Sequence, residues 1–342
     1  MTDALASRAS RAPAPAPAFP SARLTRLLLG FGAVAATLAA VVASAVAFGG
    51  PRPLPSLASI NQPFAQVDFS RLPAVKRFTA RDGTALAWRE YPAAGADAHR
   101  RIVLVHGSSA SSRSLHPLAQ ALAAAGFTVD ALDIRGHGDS GPHGQAAYVG
   151  QLEDDLEDFM RAVPFAGPST LLGFSSGGGF ALRVAGGERQ DLFDRYVLLS
   201  PYLRYDAPTS RPDAGGWASV GVPRAVALRL LNRFGATAWN DLPVVEFALN
   251  DAARSLLTPS YAYALTASFG PHDDYRADIR GARHPMQLLA GTEDELFHAD
   301  RFAATFADAG RPVPVTLVPG ANHVGLTLAP QALDAIVRAC RA

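Results

Sequence analysis

The chain has 342 residues, 49% of them hydrophobic and 18% charged, with a formal charge of +1 and a single cysteine. That is apolar material enough for one large core with an insertion. The near-neutral balance argues against a nucleic-acid partner, and a lone Cys340 excludes an internal disulfide and most structural zinc sites.

Residues 1–26, with alternating Ala and Pro from Arg11 to Pro20, cannot bury much surface and read as a disordered tail. Leu27 to Phe48 then runs for about 22 positions without a charge, close to the ~20 needed to cross a bilayer as a helix. Arg8, Arg11, Arg23 and Arg26 precede this run and only Arg52 follows closely. The positive-inside bias therefore puts the N-terminus in the cytoplasm and the remainder outside. A cleavable signal peptide is the alternative, because Ala43-Ser44-Ala45 and Ala45-Val46-Ala47 both satisfy the small-residue rule. The run exceeds the roughly 7–15 residues of a usual signal core, which favours a retained anchor. Residues 49–70, with Pro51, Pro53, Pro55 and Pro63, read as a stiff spacer.

From residue 71 to 342, strands and helices alternate as in a mostly parallel sheet with helices on both faces. Val75–Ala80 and Ala85–Tyr91 flank Asp82-Gly83 and predict an opening hairpin. Arg101–His106 is a continuous apolar strand, Leu115–Ala125 a helix stopped by Gly126, and Phe127–Ile134 the next strand. Val149, Leu152, Leu156, Phe159 and Val163 repeat at three and four, predicting a helix with Glu153, Asp154, Asp155 and Asp158 on its wet side. Between the strands Tyr196–Leu199 and Met286–Ala290 lie about 85 residues, too many for one crossover. This stretch, about 201–283, is rich in aromatics such as Trp217, Trp239, Phe247 and Tyr261. Helical patterning through Val226–Asn232 and around Val244–Asn250 predicts a helical cap over a pocket at the C-terminal strand edge.

The most informative segment is Gly173-Phe174-Ser175-Ser176-Gly177, an apolar strand running straight into a serine with glycines at minus two and plus two. A strand that turns at once into a helix strains the middle residue and tolerates only small neighbours, which lifts the hydroxyl into reach of a base. Such a serine needs a histidine to take its proton and a carboxylate to orient that histidine. Glu293, Asp294 and Glu295 follow the strand Met286–Ala290, and His323 follows the strand Val313–Val318, with a helix over Ala299–Ala309 between them.

The order serine, acid, histidine, taken with four further segments, resembles the α/β-hydrolase superfamily, within its esterase, lysophospholipase and serine-aminopeptidase-like group. Those segments are His106-Gly107, the run Asp133-Ile134-Arg135-Gly136-His137-Gly138-Asp139-Ser140, the loop Gly291-Thr292-Glu293-Asp294 and the loop Pro319-Gly320-Ala321-Asn322-His323. The resemblance implies an α/β-hydrolase fold with a helical cap behind a transmembrane helix, and a triad of Ser175, Asp294 and His323, with Asp206 the runner-up acid. It implies structural roles for His106 and His137 and leaves His143 without a part, while His272, His284 and His298 read as solvated or structural. An oxyanion hole follows from the backbone amides of Ser176 and Ser108, with Ser109 the alternative to Ser108.

The implied activity is acyl transfer on a carboxylic ester, with no cofactor or metal. Proximity to lipid suggests a lysophospholipid or acylglycerol, and an amide or small peptide is the alternative substrate. From a different class, a non-catalytic membrane-tethered binding module is the rival.

Overall fold

The structure, a computed structural model, describes residues 22–95 and 99–342, so the first 21 positions of the expected disordered tail lie outside the described residues. The apolar run forms α1 (Ala22–Phe48), 27 residues long. At about 1.5 Å per residue it reaches about 40 Å, more than a hydrocarbon core of about 30 Å. The chain divides into two units, one ending at Ser44 and one running from Ala45 to Ala342.

In the second unit the expected spacer is fastened down. Ahead of the short α2 (Ala58–Asn61), two of its amides find acceptors in the insertion: Arg52 N–H donates to Ser219 Oγ and Leu57 N–H to the Ala248 carbonyl. Prolines remove donors from such a segment but leave the neighbouring N–H groups free to bind it to a surface.

The hairpin β1 (Lys76–Thr79) and β2 (Ala85–Tyr91) opens the main sheet, followed by β3 (Arg101–Val105), α3 (His116–Ala124), β4 (Thr128–Leu132), α4 (Gln151–Ala162), β5 (Ser169–Phe174), α5 (Ser176–Gly186) and β6 (Arg195–Leu199). The insertion comes next. It holds β7 (Ala218–Val220), α6 (Val222–Arg233), β8 (Pro243–Phe247), α7 (Asp251–Arg254), β9 (Ser260–Ala262), α8 (Tyr263–Ser268) and α9 (Tyr275–Gly281). The main sheet resumes with β10 (Met286–Gly291), α10 (Phe302–Asp308), β11 (Val315–Val318) and α11 (Pro330–Arg341). Its order is β1-β2-β4-β3-β5-β6-β10-β11, parallel throughout except where β2 joins β1 and β4. Ile102, Leu104, Leu172, Val197 and Leu289 from the central strands pack with Leu118 and Leu122 of α3 and Ile336 of α11 in one core. Burial of both sheet faces explains why these strands are continuous apolar runs rather than alternating ones.

Two expectations need correction. Residues 244–250 are not helical: β8 covers Val244–Phe247 and pairs with β7 and β9 in a small antiparallel sheet, so the cap is mixed rather than purely helical. Two adjacent β-branched valines before Glu246 and Phe247 suit a pleated surface better than a short amphipathic turn. The acidic side of α4 is not wet either, since Glu153, Asp155 and Asp158 are all buried. Each meets an arginine from outside its helix: Glu153 meets Arg183, Asp155 meets Arg135 and Asp158 meets Arg81. Opposite charges from three elements satisfy carboxylates that water would otherwise solvate.

Candidate active site

Ser175 sits between β5 and α5 with φ 56° and ψ −119°, a conformation that costs a residue with a Cβ about 1–3 kcal/mol. The flanking glycines are what make the turn fit. A Cβ on Gly173 would lie 2.0 Å from the Gly177 carbonyl oxygen, and one on Gly177 would lie 2.3 Å from that of His106. The serine is held by its own backbone, its N–H donating to Leu199 and its carbonyl accepting from Gly179 and Tyr202.

The loops after β10 and β11 bring an acid and a base to this point. His323 Nε2 lies 3.0 Å from Ser175 Oγ, and His323 Nδ1 lies 2.8 Å from Asp294 Oδ2. The other carboxylate oxygen of Asp294 accepts from the amides of Leu296 and Phe297, both at 2.9 Å. Burial works against the Asp294 charge, yet the neighbouring imidazole and these donors outweigh it and hold the carboxyl below its ordinary range. Phe174 and Phe297 flank the imidazole at ring separations of 4.7 and 5.2 Å, and Glu295 accepts the His323 backbone N–H. Asp206 is occupied elsewhere, paired with Arg204 on the exposed side of the insertion. The whole constellation is closed, with Ser175 5%, His323 2% and Asp294 1% exposed.

Residues 96–327 match the family described as serine aminopeptidase, S33. The chain belongs to this family of α/β-hydrolase enzymes. A monoacylglycerol lipase of Mycolicibacterium smegmatis is 40% identical over 106 residues, 29% of this chain and 37% of that protein. An uncharacterized protein of Escherichia coli is 38% identical over 93 residues, 27% of this chain and 16% of the other. The matched stretch is therefore well under half of either relative's length. Among solved structures, a soluble variant of monoglyceride lipase from Saccharomyces cerevisiae superposes with a TM-score of 0.59 at 16% identity, covering 82% of this chain and 96% of that one. The monoacylglycerol lipase of Paleococcus ferrophilus gives 0.55 at 20% identity over 75% of this chain and 96% of its own. At such identities the likeness is one of fold.

In this hydrolase the loop after β3 passes directly beside the serine: a Cβ on Gly107 would lie 3.2 Å from Ser175 Cβ. Ser109 has φ 67°, and its amide donates to the hydroxyl of Tyr261 on β9. The amides of Ser108 and Ser176 donate to no group among the described residues. The cap grips this loop at further points. Trp217 Nε1–H donates to Ser108 Oγ at 2.9 Å, Ser109 Oγ–H donates to the Thr258 carbonyl at 2.7 Å, and the Thr258 amide returns a bond to the Ser109 carbonyl.

Beneath the loop lie the other two buried histidines that the sequence singles out. His137 Nδ1 faces the carbonyls of Ile134 and Arg135 and must carry its proton there, so Nε2 accepts from Tyr261 Oη–H. His106 Nδ1 likewise faces the Gly107 carbonyl while Nε2 accepts from Ile134 N–H. Burial pushes both imidazoles below their ordinary pKa, and His106 adds to the effect on His137, which keeps the pair neutral. Asp133 ties the same loops together, accepting from the amides of Ser112 and Asp139. Tyr261 and Trp217 went unassigned in the sequence, where they are two aromatics among many. The only available signal was their place in an insertion, and that does not tell which ones point down.

Proposed function

We propose that the chain is a membrane-anchored serine ester hydrolase in which Ser175 attacks the ester carbonyl, His323 takes and returns the proton, and Asp294 orients and stabilises His323. The continuous line from Asp294 through His323 to Ser175, at 2.8 and 3.0 Å, is the observation that carries this reading. The oxyanion of the tetrahedral intermediate is received by the amides of Ser108 and Ser176. Ser108 is favoured over Ser109 because the latter's amide is already spent on Tyr261. Water then releases the acyl group by the same relay run in reverse.

The substrate we favour is a lipid-like ester, an acylglycerol or lysophospholipid. Support comes from the lipase relatives named above and from an apolar helix long enough to reach across a bilayer, with Arg23 and Arg26 on its N-terminal side. Retention of that helix is supported by Val46 and Ala47, which belong to one candidate cleavage motif: their carbonyls are hydrogen-bonded by Arg224. The catalytic unit then lies outside the cytoplasm.

Ser175→Ala abolishes ester turnover and labelling by a fluorophosphonate, while Asp294→Asn retains labelling and loses kcat by about 10³–10⁴-fold. A panel of p-nitrophenyl esters of increasing chain length, run beside aminoacyl amides and lysolipids, identifies the acyl group. Preference for the amides would replace the esterase reading by the peptidase one, and failure of wild-type Ser175 to label would leave a binding module.

A further inference from the structure

Helix α6 on the cap carries an apolar stripe that faces outward. Val222, Val226 and Leu230 repeat every four residues, Phe234 follows one turn later, and their exposures are 55, 60, 42 and 81%. Trp239, in the next loop, is 46% exposed. Leu228, on the opposite side of the helix, is fully buried, so the stripe is not the core face. The polar residues of α6 are Arg224, Arg229, Asn232 and Arg233, with no acid among them. The Arg224 guanidinium is spent on backbone carbonyls and Arg229 pairs with Asp273, while Arg233 is exposed beside the stripe. An apolar stripe with an exposed arginine beside it and two exposed aromatics at its end is the composition of a helix lying in a lipid interface, where a guanidinium snorkels to phosphate and aromatic rings settle at headgroup depth.

A second observation says what covers the stripe. Arg224, in the first turn of α6, donates from Nε to the Val46 carbonyl at 2.8 Å and from Nη2 to the Ala47 carbonyl at 3.0 Å. Its own amide donates to the Gly49 carbonyl. These are carbonyls of the last turn of the apolar helix and of the glycine just after it, left without intrahelical partners where that helix ends. The start of α6 is thereby pinned to the point where the chain leaves the apolar segment. If that segment spans a bilayer, this point lies at the membrane surface by covalent continuity.

We propose that the outer face of α6, with Phe234 and Trp239, docks on the bilayer surface, held there by the Arg224 clamp, so that the cap rather than the main sheet meets lipid. This rests on the membrane-anchor reading, and the two can fail separately.

Trp239 offers the readout, because Trp88 and Trp217 are only 8 and 7% exposed. The full chain is reconstituted in nanodiscs of phosphatidylcholine and phosphatidylglycerol, with or without bromine on the acyl chains, and the emission of Trp239→Phe is subtracted. A face buried about 5–10 Å into the interface loses roughly twofold or more of its Trp239 emission to bromine. The exposed pair Val226→Asp and Phe234→Asp removes that loss. Unchanged Trp239 emission in anchored wild-type protein overturns the proposal, and is also the result if a second copy of the chain covers the stripe. Alkaline extraction reports the anchor independently. Should the protein wash off, the same comparison with brominated vesicles still decides: quenching supports the lipid face and its absence overturns it.

Discussion

Tyr261 has one hydroxyl and two partners, accepting from the Ser109 amide and donating to a neutral His137. It holds the loop that carries the Ser108 amide without touching Ser175, and is in that sense a positioning residue. Tyr261→Phe leaves a buried N–H and a buried imidazole nitrogen unpaired, which costs about 1–3 kcal/mol of stability. With the Ser108 amide as the proposed oxyanion donor, its displacement by a fraction of an ångström also weakens oxyanion stabilisation, so kcat per fluorophosphonate-titrated site should fall about 10–100-fold with KM little changed. A merely structural role would lower the number of titratable sites and leave the turnover of each intact.

At the scale of elements, α4 shows how a charged face becomes an interior one. Asp158 accepts from the Arg81 amide at 2.7 Å, from the Arg81 guanidinium and from Arg161. Burial raises its pKa, but the Arg81 hydrogen bonds outweigh this and hold it below the ordinary 3.8. A carboxyl with a depressed folded-state pKa lends stability that is fully present above its unfolded value and disappears as pH falls through the folded one. Asp158→Asn should therefore lower stability by about 2 kcal/mol at neutral pH. The gap between the urea midpoints of wild type and variant should begin to narrow as the pH falls through 3.8, where the free group titrates, and should close only below the depressed folded-state value. An undiminished gap in acid would mean that packing, not charge, makes the difference. The periodicity of α4 was legible because it needs only the chain itself, whereas the arginines that cover its acids come from three other places.

For the whole molecule, the cap is tied to the main sheet in the same way from several directions. Trp217, Thr258 and Tyr261 hold the loop after β3, the Arg183 guanidinium reaches from α5 to the Ala267 carbonyl at 3.0 Å, and residues 49–57 bind across the cap. Contacts from Ala45 to Ala342 form one unit. Cap and sheet should therefore melt together: one calorimetric transition, coinciding with loss of esterase turnover and of the near-ultraviolet signal of the buried Trp217. A cap that melts first would separate the two signals by temperature.

The nucleophile elbow, the order serine, acid, histidine and the alternation of strands and helices were readable from residues alone. They are local patterns: a turn too tight for side chains, a short run of strand, a helix period. The choice of Asp294 over Asp206 followed from resemblance; in the fold Asp294 hydrogen-bonds the His323 imidazole, whereas Asp206 pairs with Arg204. What tertiary structure alone decided was which cap aromatics turn inward, that residues 244–247 pair as a strand, and that Arg224 closes the end of the apolar helix. Each depends on a partner more than ten residues away, and nothing in a linear pattern records which distant group will satisfy a hydrogen bond or cover a face.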